Sequence, residues 1–143
     1  MDFVHLNIKK LDANAQVPSK KHQYDACYDL YTINSCTIPA GNFMKLNLGL
    51  AMEIPNGYVG IIKGRSGLTS SGIIVPTGTI DSGYRGEIGV TMFNTTDYEL
   101  KVEAGSRIAQ FCLEKTYTIK FNEVKFLFES DRGTNGFGST GLK

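Results

Sequence analysis

The stretch FMKLNLGLAMEIPNGYVGIIK, residues 43–63, shows the fold class most clearly. Apolar and polar side chains alternate through residues 43–54, which is the pattern of a strand with one buried face, because successive side chains point to opposite sides of a sheet. Pro-Asn-Gly at residues 55–57 predicts a turn, since proline presets φ and Asn-Gly readily adopts positive φ. The run YVGIIK that follows predicts another strand.

Short runs with the same alternation recur along the chain, separated by Gly, Pro, Asn and Asp. They are FVHLNI (3–8), YDLYTI (28–33), CTIPAG (36–41, ending in a second predicted turn), EIGVTMFN (87–94), YELKVE (98–103) and RIAQFCLEKTY (107–117). No long apolar stripe has a 3.6-residue period, so any helix is short, within SGLTSS at residues 66–71. Many short strands in 143 residues are typical of a single all-β sandwich or barrel.

Composition argues against several classes of protein. With 15 basic and 14 acidic residues the formal charge is +1, so broad capture of nucleic acid or of an anionic membrane is not expected. No stretch approaches the ~20 apolar residues of a membrane span. Cys27, Cys36 and Cys112 are odd in number and lack a C-x-x-C pair, which fits neither a disulfide framework nor a zinc site. An intracellular protein with reduced thiols is expected.

The segment GRSGLTSSG, residues 64–72, is a candidate phosphate site. Arg65 carries a planar fork of donors that suits phosphate oxygens, Ser66 carries a hydroxyl, and Gly67 exposes its backbone N–H. The spacing differs from the G-x-x-x-x-G-K-S/T phosphate loop. The alternative interpretation is an ordinary turn with a surface arginine.

The segment GTIDSGYRGEIG, residues 78–89, predicts a hairpin with Asp81 at its rim, where a base can meet a water molecule. Tyr84 would form a wall of the pocket. The backbone N–H and C=O groups could recognise a base, with Gly78 and Gly89 leaving room for close approach. The alternative is an Asx-turn aspartate beside a packed tyrosine.

Three further stretches of sequence carry side chains that could contact a ligand. Asp29 interrupts the apolar run ACYDLY and is either structural or a metal partner, while Gln110 alternates with apolar neighbours and could donate to a phosphate. The glycine-rich tail RGTNGFGSTG offers an arginine for a terminal phosphate, an aromatic ring for stacking, and hydroxyls with backbone N–H groups for an anion: Arg132, Phe137, Ser139 and Thr140.

In order, YDLY, GRSGL, GTIDSGYRGEIGV, GSRIAQ and RGTNGFGSTG closely resemble the five ordered motifs of the trimeric all-β dUTP pyrophosphatases, the dUTPases. The resemblance runs from about Tyr24 to the end of the chain. It implies a distorted jelly-roll or β-barrel of the dUTPase type, formed by residues 1–128, and a mobile arm, 129–143, that closes over a neighbouring subunit's active site. It also implies a homotrimer in the cytoplasm, or in the nucleus if the source is eukaryotic or viral.

The activity implied by the resemblance is magnesium-dependent hydrolysis of dUTP to dUMP and pyrophosphate, which limits uracil in DNA and supplies dUMP for dTMP synthesis. Asp81 matches the base that activates the water attacking the α-phosphorus. Tyr84 matches the residue that packs under the deoxyribose and excludes a 2′-hydroxyl. The backbone at Gly78, Ile80 and Gly89 matches the part that pairs with the uracil edge.

The other motifs match positions that hold the phosphates, the metal and the closed arm. Arg65, Ser66, Gly67 and Gln110 match triphosphate-binding positions, and Asp29 matches the aspartate that holds magnesium through a water. In the arm, Phe137 would cover the uracil and Arg132 would reach the outer phosphate, with the backbone and hydroxyls of Gly138, Ser139 and Thr140 beside them. Different subunits would contribute the hairpin, the phosphate-binding motifs and the arm.

Some positions depart from the family pattern. Gly64 replaces the usual proline, Ser106 replaces the usual Asp or Glu, and Val75-Pro76-Thr77 is an unusual lead-in to the third motif.

A dCTP deaminase of the same fold would carry Gly-Trp and a glutamate seven residues later, where this chain has Tyr84 and Thr91. The alternative from another class is a regulatory protein whose dUTPase-like fold binds an unidentified protein partner.

Overall fold

The computed structural model describes residues 2–143, which form eleven strands and one short helix. The expectation of an all-β fold is therefore confirmed. The elements are β1 Asn7–Lys10, β2 Tyr28–Tyr31, β3 Cys36–Ile38, β4 Phe43–Asn47, β5 Leu50–Glu53, β6 Tyr58–Lys63, α1 Ser66–Ser70, β7 Ile73–Ile74, β8 Gly78–Ile80, β9 Gly89–Asn94, β10 Leu100–Val102 and β11 Arg107–Lys115.

The strands form four small antiparallel sheets around one core. Their orders are β1-β5, β10-β3, β2-β11-β6-β8 and β4-β9-β7. The long strand β11 lies between β2 and β6, so the first and fourth motifs share one sheet and the second motif follows directly after β6. The alternating apolar side chains of β4, β5 and their connection enter the core, with Leu46, Leu48, Leu50 and Met52 at most 5% exposed.

The long alternating run from residue 43 divides into two strands that enter different sheets. β4 pairs with β9, whereas β5 pairs with β1. The break lies at Gly49, which has φ +67 and whose Cβ, if present, would lie 2.9 Å from the Cβ of Asp12. Only glycine fits this crowded left-handed position, so the chain changes sheets there.

Local predictions that rest on turn chemistry are confirmed. The N–H groups of Asn42 and Tyr58 donate to the carbonyls of Pro39 and Pro55, which closes the turns predicted at 39–41 and 55–57. The helix α1 lies within SGLTSS as expected. The first strand is displaced: β1 covers residues 7–10 instead of 3–8, because the pairing with β5 begins only at Asn7.

The predicted hairpin at residues 78–89 is wrong as a two-stranded ladder. β8 pairs with β6 in one sheet, and β9 pairs with β4 and β7 in another. Ile88, just before β9, donates to the carbonyl of Leu50 and accepts from the N–H of Leu48. Residues 81–88 therefore form a broad connection between two sheets.

Regular structure ends with β11 at Lys115. Residues 116–128 are exposed throughout, including seven apolar side chains: Tyr117, Ile119, Phe121, Val124, Phe126, Leu127 and Phe128. The remaining tail folds as short turns whose hydrogen bonds stay within residues 130–141. Exposed apolar surface of this extent is typical of a site that another surface covers.

Candidate active site

A cavity of about 540 Å³ brings together residues from three of the predicted motifs. Among the residues that line it are Asp29, Arg65, Ser66, Gly67 and Gln110, which all come from the predicted phosphate and metal positions. Lys20, Lys21, His22, Asp25 and Arg107 also line the wall. Four Lys and Arg side chains face two aspartates, so the cavity suits an anion.

Asp29 lies between two arginines in this cavity. Its Oδ1 is 3.2 Å from Arg65 Nε, and its Oδ2 is 3.7 Å from Arg107 Nη1. Arg65 Nη1 also donates to the carbonyl of Arg107 over 3.3 Å. The carboxylate, 20% exposed, thus holds both guanidinium groups at the cavity while leaving a net positive charge.

Arg107 is absent from the predicted site residues. It stands three positions before Gln110 in the fourth motif, opposite Tyr31 of β2. The pattern that could have pointed to it is a charged residue at the start of a strand that already carries a predicted phosphate donor.

Gln110 connects β11 to the loop that carries Arg65. Its Nε2 donates to the carbonyl of Gly64 over 2.7 Å, and its Cα pairs with Asp29 on one side and Lys63 on the other. The loop continues into α1, where Thr69 Oγ1 donates back to the carbonyl of Arg65 over 3.1 Å. The phosphate-site loop is therefore held at two points.

The two glycines of the second motif differ in how tightly they are packed. A Cβ at Gly64 would lie 3.3 Å from Thr69 Oγ1, while one at Gly67 would meet no atom within 4 Å. The open space at Gly67 is compatible with a ligand close to its backbone. Gly64, which departs from the family pattern, lies against the side chain of Thr69.

Asp81 and Tyr84 lie at the end of the edge strand β8. The N–H of Tyr84 donates to the carbonyl of Asp81 over 3.1 Å, which closes a turn, and both side chains are exposed. Within residues 2–143 the Asp81 carboxylate has no hydrogen-bond or ion-pair partner. Tyr84 Oη donates to the carbonyl of Glu87 over 2.9 Å.

The backbone around the predicted base site is open on one side. β8 pairs only with β6, so its other edge presents unpaired N–H and C=O groups. A Cβ at Gly78 would meet only ordinary contacts with Ile62, the nearest at 3.7 Å. Gly89 is different, because the side chain of Lys45 passes directly over it.

A single chain leaves three parts of the predicted site apart. Asp81 and Tyr84 do not line the cavity that holds Arg65, and neither does any residue of the tail 129–143. In the tail, Arg132 Nε donates to the carbonyl of Asn135, and Phe137 is fully exposed with φ 49. The positions of Gly138, Ser139 and Thr140 follow in the last turns.

Metal-binding side chains do not cluster, and the thiols are free, in the described part of the chain. No group of three His, Cys, Asp or Glu side chains comes together as a metal site within residues 2–143. The three cysteines are free thiols, and burial, followed by the effect of Cys27, raises the pKa of Cys112. Among the same residues no helix has the length and apolar character needed to cross a membrane.

Fold and cavity together define an antiparallel β-protein with a cationic site suited to phosphate groups. The chain belongs to the dUTPase family, whose model matches residues 13–141. The deoxyuridine 5′-triphosphate nucleotidohydrolase of Clostridium acetobutylicum is 41% identical, and the alignment covers 99% of each chain. The variola virus protein of the same name is 41% identical over 90% of this chain and 88% of its own length.

Solved structures give the same result for the fold. The dUTPase of Staphylococcus bacteriophage 80alpha with dUpNHpp superposes with a TM-score of 0.90 and 29% identity, covering 96% of this chain and 99% of its own. That phage protein is described as controlling transfer of virulence genes by a G protein-like mechanism. The expected dUTPase-type fold is thereby confirmed.

Proposed function

We propose that this chain is an enzyme that hydrolyses dUTP to dUMP and pyrophosphate by attack of water on the α-phosphorus. Hydrolysis of dUTP is the activity of the family to which it belongs. The observation that carries the proposal is the cationic cavity, where Asp29, Arg65, Ser66, Gly67 and Gln110 meet although they come from three separate motifs. Arginine forks and a nearby hydroxyl suit the oxygens of a triphosphate.

Asp81 is the proposed general base. Its carboxylate is exposed and unpaired within residues 2–143, so it can accept a proton from a water molecule, while the turn to Tyr84 holds its backbone. General-base catalysis contributes about 10²–10⁴-fold to a rate. Replacement by alanine is therefore expected to lower kcat by ~10²-fold or more while leaving dUTP binding largely intact.

The nucleoside part of the substrate is proposed to bind at the edge of β8. The open backbone groups of this strand can pair with a uracil edge in the way that an added strand would pair. The ring of Tyr84 would lie against the deoxyribose, where a 2′-hydroxyl has no space. Gly89 would contribute only after the Lys45 side chain moves, because that side chain covers it in the free chain.

Magnesium is the proposed cofactor, with Asp29 holding it through a water. The donor set fits this role, since Mg²⁺ keeps several waters and binds through one or two carboxylates together with substrate phosphates. When bound, the ion would offset the charge of the phosphates and orient them. Arg65 and Arg107 each contact the Asp29 carboxylate and would keep it oriented, while the guanidinium of Arg65 also keeps its proposed role at the triphosphate.

A homotrimer with shared active sites is the proposed assembly. Support comes from the separation of Asp81, the cavity and the tail in one chain, and from the exposed apolar segment 116–128. Burying this segment on a neighbour would remove its apolar surface from water and carry the arm, 129–143, away from its own body. The boundary between body and arm would then fall after Lys115, earlier than the predicted residue 128.

The test is pyrophosphate release, with magnesium, from dUTP, dTTP, dCTP and UTP in parallel. Release from dUTP alone is the expected result, and Asp81→Asn is the matched control because it keeps the shape of the side chain and removes the base. Equal release from all four nucleotides would contradict the proposed uracil and deoxyribose selection. Binding of dUTP without turnover would favour the regulatory hypothesis, which otherwise stays a prediction.

A further inference from the structure

We infer that Gly86 is the residue that positions Tyr84 for selection against ribose. This inference deepens the proposed function and rests on it. Among residues 2–143 Gly86 has no hydrogen-bond partner, and its φ lies outside the left-handed region. The feature that sets this position apart is the ring of Tyr84, which occupies the volume that a side chain at Gly86 would fill.

The contact is close and involves the ring itself. A Cβ at Gly86 would lie 2.6 Å from Cζ and 2.9 Å from Cε2 of Tyr84. Carbon atoms in contact are separated by roughly 3.5–4.0 Å, so even alanine would displace the ring by about 1 Å. The neighbouring Gly83 is the opposite case, because a Cβ there would meet no atom within 4 Å.

Two kinds of contact restrain the turn: the N–H of Ile88 at its end donates to the carbonyl of Leu50 in β5, and the exposed side chain of Arg85 links it to Glu53. Arg85 Nη1 donates to the carbonyls of Ser82 and Tyr84 over 2.7 and 3.1 Å. Its Nη2 is 3.4 Å from Glu53, whose other oxygen accepts a hydrogen bond from Asn7 Nδ2 over 3.0 Å. A side chain at Gly86 would therefore move the ring and break its 2.9 Å bond to the carbonyl of Glu87.

The expected consequence is a loss of sugar selection. The fit of the ring against C2′ is available to dUTP and unavailable to UTP, because the 2′-hydroxyl occupies that space. A ring displaced by about 1 Å loses this fit, and errors of that size in a site lower rates by up to ~10²-fold. The kcat/KM for dUTP should therefore fall, while that for UTP changes little.

The experiment is a double-mutant cycle on the full chain with magnesium. We would measure kcat/KM for dUTP and UTP in the parent, Gly86→Ala, Tyr84→Ala and the double variant, with Gly83→Ala as the matched control. Gly86→Ala should lower the dUTP-to-UTP ratio by about tenfold in the parent and leave it unchanged in the Tyr84→Ala background, where no ring remains to displace. Gly83→Ala should keep the parent ratio.

Thermal unfolding of the parent, the two single variants at Gly86 and Tyr84 and the double variant keeps the test decisive if Gly86→Ala folds poorly. Its loss of Tm should then disappear in the Tyr84→Ala background. This inference alone would be overturned if Gly86→Ala kept the dUTP-to-UTP ratio of the parent. It would also be overturned if Gly86→Ala had the same effect with and without the Tyr84 ring. A parent that hydrolyses neither nucleotide would overturn the proposed function and this inference with it.

Discussion

Two inactive variants of this chain are expected to restore activity when they assemble together. Asp81→Ala removes an exposed carboxylate, and deletion of residues 131–143 removes the proposed arm. The tail residues 130–141 hydrogen-bond only among themselves, so their loss leaves the sheets intact. Because Asp81 and Phe137 belong to separate parts of the chain, each variant lacks one component and keeps the other.

The size of the recovery follows from the proposed three-fold assembly. We assume that each site takes Asp81 from one subunit and the arm from another. A mixed trimer then contains one site in which an intact Asp81 meets an intact arm. This holds whether Asp81→Ala or the deletion variant is present in two copies. About one third of the sites should then be complete. Since loss of the base lowers kcat by ~10²-fold, the mixed trimers should exceed the Asp81→Ala variant by about 30-fold.

The assay uses co-expression of the two variants with different affinity tags and sequential purification on both. Pyrophosphate release from dUTP is compared with each variant alone and with the two purified variants mixed without exchange. Light scattering on a sizing column checks that the mixed species is a trimer. Co-purified trimers no more active than the separate variants would refute a site shared in this way.

Four further outcomes are expected. Asn94→Ala should lower the free energy of unfolding by about 2–4 kcal/mol, which would be measured as a lower Tm. The reason is that Asn94 is only 1% exposed and its Nδ2 reaches three carbonyls, of which that of Tyr98 is the closest at 2.7 Å. Gln110→Leu should raise KM for dUTP about tenfold with little change in Tm, since it frees the Gly64 loop; an unchanged KM would contradict this role. Chelation by EDTA should stop pyrophosphate release and added Mg²⁺ should restore it, whereas full activity in EDTA would count against the metal. Burial raises the pKa of Cys112, so the stability that its neutral thiol contributes is present below the unfolded-state pKa and lost as the pH rises through the folded-state pKa. Cys112→Ala should weaken this dependence in denaturant titrations, and the remainder is expected from Cys36, whose pKa burial also raises.

Local chemistry explains which features were predictable. Alternation with period two identified most of the strands, with β1 displaced and β7 missed, and the turns at Pro39 and Pro55 closed as expected, because both depend on neighbours in the chain. The five motifs indicated the family and the phosphate-site residues. The roles of those residues, the homotrimer and the magnesium stay predictions until the experiments above are done.

Contacts between distant residues explain what was missed. The break at Gly49 depends on Asp12, and the separation of β8 from β9 depends on the bonds that Ile88 makes with the β4–β5 connection. Arg107 enters the site only because β11 pairs with the strand that carries Asp29. None of these partners is adjacent in sequence.

The sequence by itself determined the all-β class, most strand positions, the turns and the family. Only the tertiary structure decided which strands share a sheet and that Arg107 joins Asp29. The physical reason is that alternation and turn propensity are properties of a few consecutive residues. Sheet pairing and steric fit depend instead on which distant atoms occupy the same space.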